Sequence, residues 1–445
     1  MLKVLLVSTY ELGRQPFGLA SPAAWLRDAG CKVTCVDLAC SVLPRATVEE
    51  ANLAAFYLPM HTATRLAIPA IQKVQAQNPD VHLCCYGLYA PMNEAHLREL
   101  GVQTVLGGEF EQGLRDLAAR LETSDRGPQR EPLISLGRQS FVTPDRSGLP
   151  SLGRYAKLLA NGQEKLVGFT EASRGCKHFC RHCPIVPVYN GIFRVVEREV
   201  VLDDIRQQVA AGAEHITFGD ADFFNGPGHA TAIVEALHTE HRAVTYDVTI
   251  KIEHLLRHRD LLPLLKRTGC LFVTSAVESI DDVVLEKLAK GHTRADFTEV
   301  VGIMRDVGLT LAPTFVTFTP WTTWRGYGEL LQLLVDLDLV ANVSPIQLAM
   351  RLLIPAGSRL LELPDVREII GPFDRTALSY RWKHGDPNVD QLCTQVQALI
   401  QREERRKATR TEIFQGIWEL AQGSRPDFHL ASRATIPYLN EPWYC

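Results

Sequence analysis

From Leu166 onward the chain alternates apolar, strand-like runs with helical ones six times, and this alternation restricts the fold more than any other feature. The strand-like runs are 166–171, 216–219, 245–251, 271–276, 310–317 and 346–353, with helical patterns at 202–211, 229–239, 261–266, 281–289, 295–307 and 328–336. Strands joined by helical crossovers pair in parallel with right-handed connections, so six such units predict a partial (β/α)6 barrel of the TIM type. Reactive groups of such barrels gather at the carboxyl ends of the strands.

Residues 1–121 alternate as well, with strands expected at 3–8, 32–37, 53–59, 82–86 and 104–106 and a helix at 21–29 closed by Gly30. This reads as a small doubly wound α/β sheet, Rossmann-like, whose strand ends near 8–13, 57–61 and 87–91 face a ligand. Residues 122–160 form a linker, of which 122–153 are rich in Pro, Gly, Ser, Asp and Arg and are expected to cross the surface. The barrel then occupies 161–360 and a small helical extension 361–445. A length of 445 residues suits two or three domains. The net charge of −4, with both signs interspersed, predicts no nucleic-acid partner. No apolar run reaches the ~18 residues of a membrane span, and the apolar start reads as a strand, not a signal peptide. Eleven cysteines in a chain of this length are no disulfide framework, so a reducing, cytoplasmic location is expected.

Just after the first barrel strand stands Cys176-Lys-His-Phe-Cys180-Arg-His-Cys183. Three thiolates at this spacing can hold a cubane iron-sulfur cluster and leave one iron unligated by protein, where chemistry can occur. A zinc site completed by His178 or His182 is the competing reading, and it would make the chain a non-enzymatic binding module. Zinc ligands usually come as two separated halves, and this is one compact loop. Cys270 opens an apolar run and is expected in the core; Cys31, Cys35 and Cys40 are read in the same way.

The C-x3-C-x2-C loop after a first barrel strand resembles the signature of radical S-adenosylmethionine (SAM) enzymes, over roughly residues 160–350. The resemblance implies that Cys176, Cys180 and Cys183 bind a 4Fe-4S cluster whose fourth iron takes the amino and carboxylate groups of SAM. Reductive cleavage then gives a 5'-deoxyadenosyl radical, with an electron from a reductant such as flavodoxin or ferredoxin. By the same resemblance Asp220, in Gly219-Asp-Ala-Asp222, faces the methionine ammonium, and Lys251 faces the SAM carboxylate. Glu278 and Ser279 contact the ribose or carboxylate region, and 311–321 is a region for adenine. Asp222 has the alternative of capping the helix that starts near Gly228. The run from Arg402 to Arg410 is expected to be the solvated face of a helix.

The first 121 residues resemble the cobalamin-binding domain that precedes the barrel in many such enzymes, including the ending Val105-Leu-Gly-Gly-Glu109. The D-x-H-x-x-G loop whose histidine ligates cobalt is absent, and His61 stands in a Pro-Met-His-Thr setting. Cobalamin is therefore possible only without that histidine. The chain ends Pro-Tyr-Leu-Asn-Glu-Pro-Trp-Tyr-Cys445, which resembles the start of the tail of CUAEP/CCAEP-tail radical SAM proteins. On that resemblance a selenocysteine codon follows Cys445, and the tail brings Cys445 to the radical as a catalytic thiol. Two functions follow: radical chemistry on a small molecule, peptide or metalloid, or cobalamin-dependent methyl transfer.

Overall fold

The computed structural model describes residues 1–123, 125, 127–424 and 436–440. Its first unit is built on β1 (Lys3–Ser8), β2 (Lys32–Asp37), β3 (Leu53–Tyr57), β4 (His82–Tyr86) and β5 (Thr104–Gly108). All pair in parallel, in the order β2-β1-β3-β4-β5. β3 to β5 are buried along their whole length, as expected of parallel strands covered on both faces. The helices Phe17–Asp28 and Glu111–Glu122 cover one face and His61–Gln77 the other. The first helix begins at Phe17, ahead of the expected 21.

The linker is not all surface. Ile134–Ser135 adds to the sheet as β6, in parallel with Gly107–Gly108 of β5. Glycine makes the approach feasible: at Gly108, with φ +69°, a Cβ would stand 2.2 Å from the Ser135 carbonyl oxygen.

The second unit opens with the antiparallel pair β7 (Lys157–Ala160) and β8 (Gln163–Thr170), and a short hairpin of β9 (Ser173–Gly175) and β10 (Phe193–Val195) brackets the cysteine loop. β11 (His215–Phe218), β12 (Thr245–Thr249), β13 (Cys270–Glu278) and β14 (Thr310–Phe315) then follow β8 in parallel. The sheet curls into a half barrel of five parallel strands, not six. The expected strand at 346–353 becomes a 3-10 turn, Pro345–Leu348, and a single bridge from Arg351 to Phe318. Pro345 starts the turn, and the Gln347 side chain then accepts the Phe315 N–H at 3.1 Å, a backbone donor that a sixth strand would use.

The C-terminal extension is less purely helical than expected. It holds the hairpin of β15 (Ile370–Asp374) and β16 (Ser379–Trp382) before the helices Pro387–Arg405 and Arg410–Gln422, which pack on the barrel core through Leu392, Val396 and Ile417. The charge run is not one solvated face. The first helix stops at Arg405, Lys407 has φ 57°, and Arg410 turns inward to donate to the Ala341 carbonyl at 2.8 Å. Finally β17 (Tyr438–Leu439) adds antiparallel to β7, giving the order β14-β13-β12-β11-β8-β7-β17. Among the described residues no helix is long and apolar enough to cross a membrane.

Candidate functional site

The cysteine loop leaves the β9/β10 hairpin at Gly175, which has φ +74° and would set a Cβ 2.3 Å from the Ile192 carbonyl oxygen. It is anchored at its far side, where Arg181 donates its N–H to Leu288 O at 2.9 Å and its guanidinium to Glu286 O and Lys287 O. Asn225 Nδ2 lies 3.6 Å from Cys176 Sγ as a donor. Burial pushes the Cys183 thiol up to about 12, with Cys180 and Cys176 raising it further and the Ile185 N–H and Lys290 opposing. Burial likewise raises Cys176. These thiols lie close enough to oppose one another's ionisation, and metal cations reverse that penalty.

The sulfurs are nevertheless too spread for one zinc ion. Among the described residues a single group brings three ligand atoms within 4.8 Å of one another, and no cysteine belongs to it. Zn–S bonds of ~2.3 Å would hold tetrahedral sulfurs about 3.8 Å apart. Three buried or half-buried thiols, N–H donors aimed at sulfur and this wider spacing fit a 4Fe-4S cluster. When bound, such a cluster supplies one electron to the SAM sulfonium.

Around the loop the strand ends bring charged groups together. Glu278 closes β13 in the left-handed region, φ 69°, after a register shift at Ala276. Its Oε1 is 3.0 Å from His182 Nε2 and 3.5 Å from Lys290 Nζ. Burial would raise its carboxyl, but Lys290 and His182 hold it at about 2. Lys251, after β12, is buried with Nζ 3.1 Å from both His178 Nδ1 and Glu253 Oε2. Asp220 uses both oxygens within the protein, accepting the Ala172 N–H at 3.0 Å and the Ser173 hydroxyl, and burial raises it to about 6. Ser279 Oγ accepts the Asp281 N–H at 3.0 Å. Asp222 caps the 3-10 turn Phe223–Asn225 and not the helix from Pro227. Glu278, Lys251 and Asp220 thus stand around the cysteine loop, while Asp220 and Ser279 already serve backbone groups. Cys445 lies outside the described residues.

Sequence reasoning missed the groups that join the two units. Arg174, two residues before Cys176, donates to Glu109 Oε2 at 3.1 Å, contacts Glu111 Oε1 at 2.7 Å and donates to Glu171 Oε2 at 2.9 Å. Its guanidinium lies over Phe17, Phe110 and Phe141 at 5.6, 5.5 and 5.0 Å from the ring centroids. Burial lifts Glu171 to about 7 against the pull of Arg174, and raises Glu109; Glu111 is lowered, its burial outweighed by Arg174 and Ser21. The available signal was the pair Glu109 and Glu111 closing β5. Beside this cluster, between the strand ends of the first unit and the cysteine loop, lies a cavity of about 230 Å³ bordered by Glu11, Arg14, Tyr57, Phe169 and Gly175. A second cavity of about 290 Å³ lies inside the half barrel, closed by Arg410 and Tyr438.

Residues 170–333 match the Radical SAM superfamily. The chain is 24% identical over 353 residues to the hopanoid C-3 methylase of Methylococcus capsulatus, covering 76% of this chain and 68% of that protein. To the tRNA-2-methylthio-N(6)-dimethylallyladenosine synthase of Desulfosudis oleivorans it is 27% identical, over 40% of this chain and 38% of that protein. Its fold is similar to that of the cobalamin-dependent SAM radical enzyme OxsB with aqua-cobalamin and SAM bound, with a TM-score of 0.69 and 14% identity, over 90% of this chain and 67% of that one. The radical SAM methyltransferase TsrM of Kitasatospora setae, with cobalamin and a [4Fe-4S] cluster bound, gives a TM-score of 0.60 at 16% identity, over 76% and 74%. The doubly wound unit followed by a half barrel is thus the architecture of these neighbours, and residues 170–333 of the chain form a radical SAM domain.

Proposed function

We propose that the chain cleaves SAM reductively at a cluster held by Cys176, Cys180 and Cys183, and directs the radical to a small molecule in the cavity beside Gly175. The observation that carries this reading is the placement of that cavity, which the residues opening the cysteine loop share with the strand ends of the first unit. Glu11 Oε2 and Arg14 Nε are buried without a hydrogen-bond partner and border it, so they supply polar handles for a small substrate. Lys251 is assigned to the SAM carboxylate, and Glu278, fixed by Lys290 and His182, to the ribose. Asp220 holds the backbone at 172–173 in place and presents its strand end to the methionine ammonium. A flavodoxin or ferredoxin class of reductant supplies the electron.

The tail is assigned a part in the same site, in keeping with its resemblance to CUAEP/CCAEP tails. β17 runs antiparallel to β7 and therefore parallel to β8, toward the end from which the cysteine loop departs. Asn440 already stands beside Lys157, its N–H donating to the Lys157 carbonyl at 2.9 Å. Cys445→Ser tests this part: turnover of substrate falls, while uncoupled cleavage of SAM persists.

Cobalamin-dependent methyl transfer is the second reading, favoured by the cobalamin bound in the OxsB and TsrM structures. The residues present offer a corrin no histidine ligand from a D-x-H-x-x-G loop. His61 Nε2 is engaged 2.6 Å from the Ala377 carbonyl, which argues against it as a cobalt ligand, whereas a cavity of about 940 Å³ bordered by Thr9, Tyr10, Leu38 and Ala39 at the strand ends of the first unit has room for a large ligand. A corrinoid titration followed by absorbance separates the readings: saturation at one equivalent favours methyl transfer, and no spectral change favours the first.

A further inference from the structure

His178, Asp222 and His254 come from three separate elements: the cysteine loop, the turn after β11 and the helix Ile252–Arg257. One atom of each, Nε2, Oδ2 and Nδ1, converges within 4.8 Å of the others. Asp222 Oδ2 is 3.4 Å from His178 Nε2 and 2.7 Å from His254 Nδ1. Imidazole and carboxylate at such separations ordinarily hydrogen-bond, yet all three atoms are buried and none meets a partner in hydrogen-bonding geometry. Asp222 and His254 are 2% and 5% exposed, so water cannot make up the loss. Buried polar atoms are rarely left out of hydrogen-bonding geometry, and three such atoms converging at one point call for a shared partner.

We propose that these side chains bind one divalent first-row transition cation, a site separate from the iron-sulfur cluster. Two imidazoles and a carboxylate suit Zn²⁺ or Fe²⁺. The surroundings agree with that assignment. Asp222 Oδ1 is fixed by the Phe224 N–H at 3.2 Å, which leaves Oδ2 for the cation. The two imidazole planes are inclined at 58° with centroids 4.7 Å apart, flanking the carboxylate and not stacking. With the cation on Nε2 of His178, the ring proton moves to Nδ1, so Lys251 Nζ, 3.1 Å from that nitrogen, must turn away from it toward Glu253, and Glu253 Oε2, 3.8 Å from Nδ1, is the carboxylate that the imidazole then faces. Lys251 keeps Glu253 as its own partner at 3.1 Å. Because His178 lies between Cys176 and Cys180, the cation ties the cysteine loop to β11 and to the helix after β12.

The test uses the full chain, reconstituted anaerobically with iron and sulfide, supplied with Zn²⁺ and dialysed into metal-free buffer. Iron, zinc and acid-labile sulfide are then counted per chain. The site predicts one equivalent of zinc or iron in excess of the sulfide. In His254→Ala and in the milder Asp222→Asn, affinity for that excess metal falls at least about tenfold, while the ratio of cluster iron to sulfide is kept. Co²⁺ added to the chain in metal-free buffer gives a ligand-field absorption that saturates at one equivalent and is lost in both variants. Excess metal below about a tenth of an equivalent in the unaltered chain overturns the proposal, as does an excess that survives both substitutions. Failure to take up sulfide counts against the cluster alone, since Co²⁺ on two imidazoles and a carboxylate lacks the sulfur-to-cobalt charge transfer of Co²⁺ on the free cysteine loop, and only the band without that charge transfer is scored.

Discussion

Arg174→Met removes the cation that Glu109, Glu111 and Glu171 share at the junction of the two units, while keeping an apolar stem of similar reach. Breaking a buried ion pair by taking one partner costs about 3–5 kcal/mol, because the other charge stays buried. Loss of the contacts to Phe17, Phe110 and Phe141 adds about 0.5 kcal/mol each. A total of roughly 4.5–6.5 kcal/mol is expected at pH 8. The pH dependence is more diagnostic than the size. Glu171, already at about 7, and Glu109, already raised, lose their opposing cation and shift further up. A carboxyl with a raised folded pKa keeps its proton while the unfolded chain has released it, so folding is penalised increasingly as pH rises from the ordinary carboxyl value to the folded one. The deficit therefore shrinks toward pH 6 and grows toward pH 8, by about 1.4 kcal/mol per pH unit for each additional proton held. The assay is anaerobic urea unfolding of reconstituted protein, followed by tryptophan fluorescence at pH 6, 7 and 8. A deficit below about 1 kcal/mol, or one equal at pH 6 and pH 8, would refute the reasoning; Arg174→Lys is expected to recover part of the loss.

Lys290→Met is expected to release Glu278 from its value of about 2. In the unaltered chain that depressed carboxyl contributes stability above about pH 4.5 that is lost as pH falls toward 2; the variant shows no such acid transition from this group, which an acid titration of the thermal midpoint checks. Gly175→Ala forces a Cβ against the Ile192 carbonyl and moves the start of the cysteine loop, so the soluble variant should hold less than about half the labile sulfide of the parent. Tyr438→Ala removes the ring under Arg410, 4.3 Å away, and opens the half-barrel cavity; faster amide exchange at Leu158 and Leu159 is the expected readout, and unchanged exchange would show that β17 adds nothing to the sheet edge.

Parallel strands β1, β4 and β11 were legible because both their faces are buried, and they stand within a residue or so of their expected places. The sixth barrel strand failed because an apolar run carries no sign that the Gln347 side chain satisfies the Phe315 N–H. The hairpin at 370–382 escaped notice since Gly371-Pro372 reads as a loop, and β6 because two residues are too short for any periodicity. At the candidate site, spacing singles out the cysteines, and position at strand ends singles out Glu278 and Lys251. Arg174 with its three carboxylates did not, because the partners lie up to 65 positions apart and only folding brings them together.

The central claim is tested most directly by reconstituting the full chain anaerobically with iron and sulfide, adding dithionite and SAM, and identifying the nucleoside by mass. The account predicts 5'-deoxyadenosine, lost when Cys176, Cys180 or Cys183 is replaced by alanine. A chain that takes up zinc but no sulfide, or that holds a cluster and leaves SAM intact, would contradict it; methylthioadenosine would move the cleavage to another carbon–sulfur bond of SAM and overturn the assignment of a 5'-deoxyadenosyl radical.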